Sequence, residues 1–130
     1  MPIRPVKDLV AEAKTQITSL SVDQARAMTE AGEVLLIDIR DPRELARDGR
    51  IPGAFHAPRG MLEFWIDPSS PYHKPALATE KTLVLFCASA WRSALSVQTL
   101  QAMGLDNIAE IEGGFKAWRE AGAPVQTDAN

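Results

Sequence analysis

The sequence is short of the residues that build most cofactor and cross-linked sites. Its 130 residues include one cysteine and two histidines. A single cysteine cannot close an internal disulfide, so the chain is expected to work reduced, in the cytoplasm. One cysteine and two histidines also supply a zinc site poorly. The acidic residues are scattered and lack the spacing of a cage for harder metals. No metal site is therefore expected. No apolar stretch approaches the roughly 20 residues needed to cross a bilayer. The opening MPIRPVKDLVAEAK also lacks the apolar core of a secretory signal. The net charge is −3 and the basic residues never run together, which argues against nucleic acid and membrane surfaces as partners.

What is present is an ordinary soluble composition, 45% hydrophobic and 24% charged, in a length that buries one core. Val6, Leu9, Val10, Ala13 and Ile17 recur at helical spacing, which predicts a packing helix over 5–17. Ser21 with Gln24 forms a capping-box pattern before a helix over 22–31 that Gly32 stops. VLLID (34–38) and KTLVLF (81–86) are continuous apolar runs, as expected of strands buried on both faces. A helix over 41–49 opens on Pro42 and ends at Gly49. Shorter strands are expected at 54–57 and 107–111, and helices at 93–103 and 114–122. Helices alternating with short strands predict an α/β fold with a mainly parallel sheet flanked by helices on both faces. One domain is expected over 1–130, with a core at about 20–124, a helical extension at 1–19 and a frayed tail at 125–130.

The lone cysteine falls at a telling junction. LVLFCASAWRSALS (83–96) ends its strand at Cys87, reaches Arg92 and opens a helix near Ser93. In parallel sheets, ligands bind beyond the carboxyl ends of strands, where helix N-termini gather. The free amides and dipole of such a helix favour a thiolate, and Arg92 adds a permanent charge. A buried free cysteine is more often a small hydrophobe in the core. The small residues Ala88, Ser89 and Ala90 beside it shift the balance toward a reactive sulfur without settling it.

CASAWRS before an apolar helix resembles the active-site loop of rhodanese-like domains. LIDIRDPRELARDGRIPGAFHAP (36–58) and EGGFKAW (112–118) are similar to that family's upstream and downstream signatures, and the three stand in the family's order. The resemblance covers about 34–120. It implies a rhodanese-type sulfurtransferase in which Cys87 takes a sulfane sulfur from a donor such as thiosulfate, as a persulfide. A thiol or a cyanide-like acceptor would then remove it. It also implies that Ala88, Ser89, Ala90, Trp91 and Ser93 cradle the sulfur and that Arg92 closes the loop. Four residues separate Cys87 from Arg92, against five in the similar loop of cysteine phosphatases, which makes a phosphatase the poorer fit. Ala90 stands where many loops of the family carry glycine. If that position needs positive φ, alanine adds strain of roughly 1 kcal/mol.

Asp38 and Arg40 match the upstream signature and are expected to brace the loop or to form a structural ion pair. Glu44 and Arg50 are expected to be structural, Gly113 and Gly114 to allow a tight turn, and Trp118 to pack. His56 and His73 are expected in turn or surface roles, because a preformed thiolate needs no base. The segment 59–78 carries Phe64, Trp65 and Tyr72 between prolines. Phe64 is expected to cover the sheet edge, while Trp65 and Trp91 could line an apolar entrance. Two alternatives stay open: a non-catalytic module that binds a protein partner through 59–78, and a redox sensor, although the chain holds no second cysteine to resolve it. A homodimer could form through the N-terminal helix or 59–78.

Overall fold

Two apolar pentapeptides make the middle of the sheet. Val34–Asp38 (β2) and Thr82–Phe86 (β4) lie parallel, with Val34 opposite Thr82 and Asp38 opposite Phe86. The structure is a computed structural model and describes residues 2–127. Three shorter strands complete it: Ser19–Leu20 (β1), Phe55–His56 (β3) and Ile108–Ile111 (β5). The order is β1-β5-β4-β2-β3, and every pair is parallel. Parallel neighbours need crossover connections, and helices supply most of them. The helices are Val6–Lys14 (α1), Val22–Glu30 (α2), Pro42–Asp48 (α3), Leu62–Ile66 (α4), Arg92–Ala102 (α5) and Gly114–Glu120 (α6).

Alternation along β4 divides the core. Leu83, Leu85 and Cys87 face one layer, where Val97 and Leu100 of α5 and Leu62 and Ile66 of α4 pack. Val84 and Phe86 face the other, with Ala25 of α2 and Phe115 and Trp118 of α6. Both faces of the sheet are thus covered, as the continuous apolar runs predict. Ser21 and Asp41 each complete a capping box, with Gln24 and Glu44, at the starts of α2 and α3.

Some expectations shift. In α1 the buried pair is Val10 and Ala13 against Ala94 of α5, while Val6 and Leu9 face solvent. The segment 59–78 holds the short helix α4 between two single 3-10 turns, Arg59–Met61 and Pro75–Leu77. The expected fraying after Val125 does not extend to Gln126, whose backbone exchanges hydrogen bonds of 2.8 Å with Arg50. Residues 128–130 of that tail lie outside the described residues. No helix among the described residues is long and apolar enough to cross a membrane.

Candidate active site

β4 delivers Cys87 to the carboxyl edge of the sheet, and the next four residues turn the chain into α5. This helix starts without a side-chain cap, since Trp91 precedes it in the αR region and caps nothing. The first amides of a helix lack intrahelical acceptors and need something to bond. Here the Ser93 amide points at Cys87 Sγ, 3.4 Å away, and the Ser93 hydroxyl lies 3.7 Å from the same sulfur. The sulfur occupies the acceptor position that Ser21 Oγ fills at α2, where it accepts from the Gln24 amide at 3.1 Å. A helix N-terminus carries partial positive charge, so the sulfur stands where an anion would be attracted.

The loop is shaped from both sides. Ala90 sits at φ 68°, the only non-glycine residue with positive φ among the described residues. For an L-residue this costs about 1 kcal/mol, the strain anticipated if alanine replaces glycine here. Opposite, Gly113 and Gly114 at φ 74° and 65° aim the first amides of α6 at the loop. Phe115 donates to the Cys87 carbonyl at 2.8 Å and Lys116 to that of Ala88 at 3.0 Å. A Cβ on Gly114 would stand 2.6 Å from the Cys87 carbonyl oxygen, so no other residue allows this approach. With the carbonyls of Cys87 and Ala88 engaged, the amides of 88–91 reach no acceptor among the described residues. Successive free amides in a turn make an anion nest.

Arg92 crosses to α3, where its two terminal nitrogens donate to Glu44 at 2.8 and 2.9 Å. Those hydrogen bonds, ahead of burial, hold the Glu44 carboxyl below its usual range and raise the Arg92 guanidinium further. Glu44 also accepts from the Asp41 amide in the capping box of α3. One carboxylate therefore ties the start of α3 to the end of the cysteine loop. The sequence reading of Glu44 as structural holds, yet it missed which structure Glu44 supports.

Asp38 and Arg40 are both buried and paired, with nitrogen–oxygen distances of 2.8 and 3.0 Å. Arg40 also donates to the Gly49 carbonyl and lies 4.0 Å over the ring of Phe115, the residue whose amide holds Cys87. The pair is thus an internal ion pair placed one residue behind the loop. Glu110 is the residue that sequence reading missed. It is fully buried in β5 and accepts from the Ser93 hydroxyl at 2.6 Å. The available signal was a charged residue inside the apolar run IAEI.

Of the expected loop residues, Cys87, Ala90, Arg92 and Ser93 converge, whereas Ser89 and Trp91 turn to solvent. The aromatic expectation is reversed in part. Phe64 is half exposed, while Trp65 packs edge-on against Phe55, 6.4 Å between ring centres, with the Lys74 ammonium over its face. His73 bonds the carbonyl of Trp65 in a turn, as expected, while His56 does so to that of Arg40 from strand β3.

This geometry agrees with comparison to known proteins. The family model for the rhodanese-like domain matches residues 21–121. An uncharacterised protein of Synechocystis is 30% identical over 122 residues, and the chain spans 63% of that protein's length. A thiosulfate sulfurtransferase of Shewanella oneidensis is 35% identical over 104 residues, 80% of this chain and 94% of that one. Among solved structures, a Rhodopseudomonas palustris protein of unknown function, described as a possible tyrosine phosphatase, shares 50% identity at a TM-score of 0.90. The match covers 97% of this chain and 99% of that one. The polysulfide-sulfur transferase homodimer of Wolinella succinogenes shares 34% identity at 0.72, covering 95% of this chain and 88% of that one. Matched by that family model over most of its length, the chain belongs to the rhodanese-like domain family.

Proposed function

We propose that the chain is a sulfurtransferase working through a persulfide on Cys87. The observation that carries this reading is the sulfur standing as the cap of α5, 3.4 Å from the Ser93 amide, at the edge of a turn whose own amides are free. In the first half-reaction the Cys87 thiolate attacks the outer sulfur of a donor such as thiosulfate. A sulfur–sulfur bond forms to Cys87, and the donor's sulfur–sulfur bond breaks with its electron pair leaving on sulfite. In the second, a nucleophilic acceptor such as cyanide or a thiolate attacks that outer sulfur and returns Cys87 as a thiolate. The nest of amides 88–91 and the α5 N-terminus hold the anionic outer sulfur. Arg92, its fork engaged by Glu44, organises the loop and contributes field rather than a direct grip on substrate. The relatives' names support transfer of sulfur from small sulfur compounds, thiosulfate in one and polysulfide in another. The chain is read as a cytoplasmic enzyme that needs no cofactor.

The phosphatase description of one neighbour draws no support from this site. A phosphate-gripping arginine presents its planar fork to the anion, and here Glu44 engages both terminal nitrogens of Arg92.

The test is intact-protein mass after thiosulfate or polysulfide, before and after cyanide, with Cys87→Ser beside wild type. A gain of one sulfur that cyanide removes as thiocyanate, absent from the variant, is expected. No adduct from either donor on folded protein would sink the reading, and turnover of p-nitrophenyl phosphate would restore the phosphatase.

A further inference from the structure

A carboxylate in the middle of a buried strand survives only with compensating partners. Glu110 is fully buried in β5, beside the apolar Leu85 of β4. Its Oε1 accepts from the Ser93 hydroxyl at 2.6 Å, and its Oε2 accepts from the Ser19 hydroxyl at 2.7 Å and from the Lys14 ammonium at 2.9 Å. Lys14 is the last residue of α1, its side chain 36% exposed, and it lies outside the stretch matched by the family model. The N-terminal helix therefore reaches the floor of the cysteine loop through a single charge.

The Ser93 hydroxyl has one proton to give. Committed to Glu110 at 2.6 Å, it leaves a lone pair toward Cys87 Sγ at 3.7 Å. That hydroxyl has no proton left for a thiolate and has the Glu110 carboxyl directly behind it, while the Ser93 amide donates to the same sulfur. The opposing groups are the Ser93 amide, the α5 N-terminus and the Arg92 guanidinium, whose charge Glu44 of α3 partly takes up. Asp38 and Arg40 on the β2 side close their charges on each other. α6 meets the loop through backbone amides, and β1 offers Ser19.

The geometry points to Glu110 as a positioning residue that, through the Ser93 hydroxyl, opposes the pull of the α5 amides on Cys87, and to Lys14 as the charge that limits this opposition. The inference rests on Cys87 being the reactive group, as proposed above, and adds that the N-terminal helix sets its readiness.

Because the chain has one cysteine, the thiolate can be counted directly. The experiment is the absorbance of the full chain at 240 nm, minus that of the matched Cys87→Ser protein, recorded across neutral to mildly alkaline pH. Glu110→Gln keeps the shape and removes the charge, and should raise the thiolate-to-thiol ratio on the order of tenfold at a given pH. Lys14→Met should lower the ratio, Lys14→Arg should restore it, and Lys14→Met added to Glu110→Gln should change nothing further. A merely structural role would move neither ratio, or both in one direction, and either result overturns the inference. If Glu110→Gln fails to fold, the Lys14 pair decides alone: a fall with rescue by arginine supports the inference, and no fall overturns it. The readout needs no sulfur donor. A shifted thiolate on a chain that never gains sulfur would retire the proposed function and leave this inference standing.

Discussion

The N-termini of α2 and α5 solve one problem in two ways. At α2, Ser21 and Gln24 bond each other's backbones, and the end of the helix is closed to outside ligands. At α5 no side chain caps the helix, and the Ser93 amide turns instead to a sulfur supplied by the preceding strand. The first arrangement lowers the energy of the helix and does nothing more. The second leaves donors at the mouth of the sheet, adds about 1 kcal/mol of strain at Ala90, and is held in place by a second helix, α6, pressing from the other side.

Substitutions can break that contrast, and the largest effect is expected at the brace. Gly114→Ala puts a methyl group 2.6 Å from the Cys87 carbonyl at a positive φ. It should cost about 3 kcal/mol in denaturant unfolding and remove sulfur transfer together with it. Glu44→Gln should come next. It frees Arg92 at a partly exposed site, so about 1 kcal/mol of stability should go, with a larger loss of sulfur loading because the loop loses its tie to α3. The pH dependence has a definite sign. Arg92 holds the Glu44 carboxyl below its ordinary value of 4.5, so its contribution is complete above that pH and is lost as pH falls through the lower folded value. Chemical melts of wild type and Glu44→Gln should therefore differ above pH 4.5 and converge in acid.

Two smaller effects sharpen the comparison. Ser21→Ala removes a cap with no ligand to serve, and should cost about 1 kcal/mol while leaving sulfur loading unchanged. Ala90→Gly should do the opposite at the other end. Relief of the positive φ, offset by a freer unfolded chain, should raise stability by less than about 1 kcal/mol. A loss of stability there would mean that the Ala90 methyl group, buried in the loop, packs better than it strains.

The sequence displayed the parts of this molecule that local physics governs. The capping box at Ser21, the buried runs at 34–38 and 82–86, and the strain at Ala90 each depend on neighbours close in the chain. The missed parts depend on distant ones. β1 is two residues long, too short for any periodicity, and exists because β5 offers it an edge. Val6 and Leu9 obey helical spacing yet stay exposed, because the small Ala94 gives α1 only a narrow seat through Val10 and Ala13. Trp65 turned inward because Phe55, ten residues earlier, offers its ring a T-shaped partner. Glu110 reads as an error in an apolar strand until Lys14, Ser19 and Ser93 are seen around it.

The all-parallel sheet carries a consequence for how the molecule is made. It contains no hairpin, and β4 must find β2, which precedes it by more than forty residues, and β5, which follows it. Such long-range pairing is slow, and chain ends emerge from synthesis last. The carbonyls of Cys87 and Ala88 are anchored by Phe115 and Lys116. Until those residues arrive, the sulfur lies on an open strand end with no formed pocket. The surroundings of the sulfur are thus completed only once Lys116 has been made, well after the strand that carries Cys87.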